Sequence, residues 1–135
     1  MDSAIAKKKG SQYSFVAEHP FEKRQSEANR ILASYPSRIP IIVEKSSARS
    51  SSPLADLDKR KFLCPGEITV GQFQAVLRKR LKLNADTALF LYVKNVLPPV
   101  SAELSHVYQD HKDADGFLYV VYAGESTFGG KEEEM

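Results

Sequence analysis

Residues 117–123 read FLYVVYA, a run with no charged residue and no glycine. Side chains of a strand alternate between two faces, so a run that is apolar at both parities has to be covered on both. Such a strand belongs in the middle of a sheet. A second run, RIPIIVEK at 38–45, puts Ile39, Ile41 and Val43 on one face and Pro40, Ile42 and Glu44 on the other. Pro40 has no N–H to give to a ladder, which places it at a strand start or an edge position. KFLC at 61–64 is a short strand closed by Pro65 and Gly66, and ALFLYV at 88–93 is a near-continuous apolar strand expected inside the sheet or partly covered. The loop between 46 and 60 is serine-rich, and two successive strands joined by a loop pair antiparallel.

A sheet of this kind needs helices to cover it. TVGQFQAVLRKRLKL, 69–83, supplies the clearest one: Thr69 and Gln72 have capping-box spacing, and Val70, Phe73, Leu77 and Leu81 form one apolar stripe. Arg78, Lys79 and Lys82 are expected on its solvated face. Upstream, Phe21, Ala28, Ile31, Leu32 and Tyr35 recur at roughly helical spacing between Pro20 and Pro36, which suit a first turn and a stop. LPPVSAELSHVYQDH breaks at its prolines and restarts as a short helix with Ser101 as its cap, and DADG at 113–116 is a turn. The order is helix, strand, strand, helix, strand, short helix, strand, tail. That is an α+β roll with the element order of the ubiquitin-like β-grasp: a four-stranded mixed sheet with an N-terminal helical extension. Residues 1–12 read as a flexible basic extension, 13–36 as the N-terminal helical segment, 37–123 as the ubiquitin-like core and 124–135 as a flexible C-terminal tail.

The 135 residues suit one domain, with ordinary usage of 42% hydrophobic and 27% charged residues. One cysteine, Cys64, allows no intramolecular disulfide, and no apolar leader follows the early lysines, so the cytoplasm is the expected compartment. Catalytic patterns are missing: no glycine-rich phosphate loop, no nucleophile elbow, no zinc-ligand spacing. His19, His106 and His111 lie in separate segments, and Cys64 ends an apolar strand as a small buried thiol. Asp113 and Asp115 lack the ligands that would follow in a calcium loop and read as turn residues. The chain is therefore expected to be no enzyme and to hold no metal or cofactor. A net charge of +2 is too small to argue for nucleic acid. Basic clusters at Lys7 to Lys9, at Lys59 to Lys61 and at Arg78 to Lys82 suit acidic peptides or anionic lipid instead. KRKFLC reads as an edge strand open to an added peptide strand, with lysine and arginine against aggregation as the plainer alternative.

The blocks HPFEKR, RIPIIVEK, DKRKFLCP, TVGQF, RKRL, LPP, YQDHKDADGFLYVVY and GESTFG occur in this order, and from about Phe15 to Gly129 they closely resemble the ubiquitin-like autophagy modifiers of the GABARAP type. The resemblance implies a ubiquitin-like fold with two N-terminal helices. It implies trimming by a cysteine protease to a terminal glycine, then transfer by activating and conjugating enzymes to phosphatidylethanolamine. The lipidated protein would sit on autophagosome membranes and bind receptors through aromatic-x-x-aliphatic peptides. Carried over by position, cleavage falls between Gly129 and Gly130, lipid attachment at Gly129, and GKEEEM is discarded. The deep aromatic pocket falls on Glu27, Ile31, Pro40, Ile42, Lys61, Leu63 and Phe117. The aliphatic pocket falls on Phe62, Cys64, Pro65, Ile68, Phe73, Val76 and Leu77, with Arg80 set to meet acidic peptide residues. Cys64 stands where the family usually has Val or a similar residue. The extension before residue 13 has no assignable counterpart; its charge fits an anionic membrane or an acidic tubulin surface. A non-conjugated trafficking or cytoskeletal adaptor using the same groove is the alternative reading, and a modifier of proteins is a third.

Overall fold

A computed structural model describes residues 14–48 and 53–125. The basic extension, part of the serine-rich loop and the tail from residue 126, with Gly129 and Gly130, lie outside the described residues. In chain order the elements are α1 (Ser14–Glu18), α2 (Phe21–Ser34), β1 (Arg38–Lys45), β2 (Lys61–Pro65), α3 (Val70–Leu81), β3 (Phe90–Tyr92), α4 (Leu104–His111) and β4 (Leu118–Ala123). The four strands run in the order β2-β1-β4-β3. β1 pairs antiparallel with β2 and parallel with β4, and β3 pairs antiparallel with β4.

β4 is an inner strand, buried at all its positions, and β1 is buried from Ile39 to Glu44. Pro40 is tolerated in an inner strand for a geometric reason. Val43 N donates to Arg60 O, so alternate residues Ile41 and Ile39 also turn their backbone to β2. Pro40 turns toward β4, whose ladder starts only one residue later, at Ile41 opposite Leu118. Ile39, Ile41 and Val43 pack with Phe62, Cys64, Leu118, Val120 and the α3 stripe in the main core. The opposite face carries Ile42, Phe117 and Tyr119 under Phe15 of α1 and Ala28 and Ile31 of α2.

Helix α3 starts as its sequence requires. Thr69 Oγ1 accepts from Gln72 N, Gln72 Oε1 accepts from Thr69 N, and Val70, Phe73, Leu77 and Leu81 are buried. Other local readings give way to tertiary contacts. Arg78 is not simply solvated: its guanidinium donates to the carbonyls of Asn84 (2.8 Å) and Thr87 (2.7 Å) and pins the following loop. Ser101 caps nothing. The segment before α4 lies extended against the start of α3, with Val70 N bonded to Ala102 O and Leu104 N to Ile68 O, and the helix begins after Glu103. β3 lies at the sheet edge and is shorter than its apolar run, because Lys94 and Asn95 adopt positive φ and turn Val93 back on Val96.

The largest departure from local reading is Asp115, which is fully buried. Its Oδ2 accepts from Arg24 Nε (2.8 Å) and Tyr119 OH (2.5 Å), and its Oδ1 from Phe117 N (2.9 Å). Arg24 also donates to His19 O (2.7 Å), at the α1–α2 junction. Burial, and then donation to Asp115, hold the Tyr119 phenol protonated far above its ordinary range. Gly116 lets α2 approach: φ there is +97°, and a Cβ would come within 2.9 Å of Ala28 Cβ. At the other end of β1, Glu44 accepts from Ser14 N (2.6 Å) and Phe15 N (3.0 Å), the first donors of α1, and from Arg60 (3.2 Å).

Removing one partner of a buried ion pair leaves the other charge uncompensated, at about 3–5 kcal/mol. Asp115→Ala should lose stability on that scale in urea unfolding, and Tyr119→Phe only about 1 kcal/mol. Equal losses for the two would show that Arg24 does not depend on Asp115.

Candidate functional site

Edge strand β2 has one partner, β1, and a free side. Backbone groups of Arg60, Phe62 and Cys64 point to β1, in register with Val43, Ile41 and Ile39. By alternation, those of Lys61 and Leu63 point outward. Pro65 has no N–H, so it ends the outward ladder. Arg38 Nη1 reaches Leu63 O (3.1 Å) and covers that carbonyl. The free edge is therefore short, and an extended chain paired with it would be fixed in register.

The same alternation sorts the β2 side chains. Phe62 and Cys64 are buried on the α3 face, whereas Lys61 and Leu63 are half-buried on the α2 face. On the α2 face, Leu63 packs beside Ile31, Ile42 and Phe117 in one cluster with Phe15. Lys61 forms an ion pair with Glu27 of α2, closing the gap between helix and strand. These residues, with buried Pro40, are the ones assigned to an aromatic pocket, and the fold brings them together. Phe15 is an addition that the sequence reading did not assign. Its ring meets Phe117 edge-on at 5.4 Å and lies 5.7 Å from Lys61 Nζ. Its only local signal is an aromatic residue heading the short apolar run Phe15–Val16–Ala17.

On the α3 face, Phe62 meets Phe73 edge-on at 5.8 Å. Phe73 and Leu77 are fully buried and form a floor, while Val76 is 43% exposed and Ile68 and Pro65 are half-buried at the rim. Arg80 stands beside this face with its guanidinium 5.7 Å from the Phe62 ring, and Lys59 Nζ lies at 4.8 Å. Arg80 Nε and Nη2 bond the two carboxylate oxygens of Asp58, at 3.2 and 2.9 Å. A cleft of about 580 Å³ lies next to this face, between Lys45, Asp56, Arg60 and Tyr122, and takes Asp58 and Lys59 into its lining. Its charged lining and the mutual pairing of Arg60 with Glu44 make it a poorer fit to an apolar ligand than the β2 edge. Among the described residues no group of His, Cys, Asp or Glu could hold a metal ion. Gly129 and Gly130 lie outside the described residues.

Comparison with known proteins agrees with this architecture. The sequence model of a family described as "Autophagy protein Atg8 ubiquitin like" matches residues 23–129. Autophagy-related protein 8d of Arabidopsis thaliana is 54% identical over 116 residues, spanning 86% of this chain and 94% of that protein. Autophagy-related protein 8 of Colletotrichum lindemuthianum is 53% identical over 118 residues, with 87% and 95% covered. The crystal structure of Trypanosoma brucei ATG8 superposes with a TM-score of 0.76 at 46% identity, over 87% of this chain and 97% of that one.

Burial pushes the Cys64 thiol up to about 11. The thiolate is the species that alkylates, so folded protein at pH 8 should react with iodoacetamide roughly 100-fold more slowly than protein in urea. Rates that match within about threefold would show that Cys64 is open to solvent.

Proposed function

Because the chain belongs to the Atg8 family of ubiquitin-like autophagy proteins, we propose that it is a modifier trimmed after Gly129, joined through that glycine to phosphatidylethanolamine, and used on autophagosome membranes to recruit receptors. The chain is the substrate of the protease and of the activating and conjugating enzymes, and no chemical step is assigned to its own side chains. Gly129 suits the terminus: without a Cβ it can thread a narrow channel and approach a catalytic centre closely. Its carboxyl must be terminal before ATP-dependent activation, and GKEEEM prevents this until it is removed. Among the described residues no helix is long and apolar enough to cross a membrane. The proposal places membrane attachment on the conjugated lipid.

The observation that carries the receptor half is the parity of β2. In an extended peptide, residues i and i+3 point to opposite faces. An aromatic residue and an aliphatic residue with two between them would therefore straddle the edge, one toward Ile31, Ile42, Leu63 and Phe117, the other toward Phe62, Val76 and Ile68. Backbone pairing with Lys61 and Leu63 would supply hydrogen bonds between them. Basic Lys59, Lys61 and Arg80 suit acidic flanks on such a peptide.

Calorimetry with an aromatic-x-x-aliphatic peptide checks the groove. Leu63→Ala should weaken binding by about 1–3 kcal/mol, the range of a hot-spot truncation. A peptide with one further residue between the anchors should bind far more weakly, since both anchors then face one side; equal affinity for the two spacings would sink the parity argument. Intact mass after incubation in cell extract tests the terminus. The expected product ends at Gly129 and then gains phosphatidylethanolamine, and Gly129→Ala should block the gain. A product carrying a lysine-linked protein in place of lipid would overturn the lipid assignment.

A further inference from the structure

Three of the basic residues around β2 are already paired within the chain. Lys61 is held by Glu27, Arg60 by Glu44 and Glu18, and Arg80 by Asp58. The first two pairs also fasten helices to the sheet. The third does not, and it is the one whose acid stands in solvent: the Asp58 side chain is 68% exposed, against 25% for Glu27 and 8% for Glu44. Its geometry is nevertheless that of a recognition contact, two parallel N–H to oxygen bonds at 3.2 and 2.9 Å. The segment that carries Asp58 is anchored. Tyr122 OH bonds Ala55 O (2.7 Å), Lys45 Nζ bonds Leu54 O (3.1 Å), and Lys45 pairs with Asp56 (3.0 Å). Asp58 is thus presented to Arg80 by a fixed loop rather than by a free one.

We propose that Asp58 is an internal competitor for acidic peptides: it occupies the Arg80 fork at the mouth of the aliphatic pocket, and a peptide carboxylate has to displace it. The inference rests on the groove reading given above. Its consequence is for selectivity. A neutral peptide fills the apolar pockets and leaves the Asp58–Arg80 pair in place. An acidic peptide exchanges one carboxylate for another on the same guanidinium, so most of its charge advantage is cancelled. The groove then discriminates by its pockets first and by peptide charge second. The hydrogen bond from Arg80 lowers the Asp58 carboxyl, the direction expected for a carboxylate held by a guanidinium.

The test uses the full chain and two peptides of equal length with the same aromatic-x-x-aliphatic core, one with Glu and one with Gln at the variable and flanking positions. Affinities are measured by calorimetry for wild type, Asp58→Asn, Arg80→Gln and the double variant. Asp58→Asn should raise the ratio of acidic to neutral affinity about two- to fivefold, the scale of an exposed ion pair. That gain should vanish in the Arg80→Gln background. Asp86→Asn, at an exposed position outside the segment that carries Asp58, changes the net charge equally but leaves Arg80 paired, so it should leave the ratio within about 1.5-fold. An equal rise with Asp86→Asn, or a gain that persists without Arg80, would overturn the proposal. Binding of both peptides to wild type with no response to Asp58→Asn would overturn it alone, while failure of wild type to bind either peptide would overturn the groove reading and the proposal together.

Discussion

Asp115 sits where the two layers of the molecule meet, with no contact to solvent and three donors on its carboxylate. β1 and β4 are apolar at both parities, so the sheet cannot stand with helices on one face only. α3 and α4 cover one face; the other is left for the N-terminal helices, which hold only a small apolar stripe of their own. Ala28 and Ile31 are the buried apolar residues of α2. That stripe is too small to define a docking geometry by itself, and the directional bonds from Arg24 to Asp115 supply one. A buried ion pair is weak as a net source of stability but strong as a constraint on arrangement, since any other seating of α2 would leave both charges bare. Glu44 does the same for α1 by taking its first N–H groups.

The groove follows from this layering. Because both faces of the sheet are covered, both parities of β2 find apolar neighbours, and the strand has a pocket-forming side above and below. A sheet with one solvated face would offer an edge and a single pocket. The N-terminal helices therefore do more than complete the core: Ile31, Glu27 and Phe15 pack beside the α2-facing side chains of β2 and would wall the proposed aromatic pocket.

Features that are short in range were legible in the sequence. The capping box and stripe of α3 rest on spacings of three and four residues, and β1 and β4 announce themselves by apolar runs of strand length. Placement of Glu44 on the face opposite Ile41 was also legible, though its partner α1 was not. What escaped reading is what depends on distant partners. DADG is a good turn by local rules, and nothing local distinguishes Asp115 from Asp113; its arginine lies 91 positions away. Ser101 has the chemistry of a cap, but bonds from its segment to the start of α3 delay the helix. Phe73 and Leu77 read as core from spacing alone, and core they are; their assignment to a pocket came only from resemblance. Asp58 carried no signal, because an aspartate ahead of a basic run looks like ordinary surface.

The position of the tail relative to the groove is set by strand order. β1 and β4 are parallel, so β4 delivers the chain at Ala123 to the same end of the sheet as Lys45, beside the loop that Lys45 and Tyr122 pin. β1 separates β4 from β2, which puts the exit point two strand spacings, roughly 10 Å, from the peptide edge. Under the proposed function, membrane attachment and peptide pairing would then use different borders of one sheet. The fold would need no rearrangement to do both, and Pro65, which has no N–H at the far end of β2, would keep an added strand from running on past Leu63.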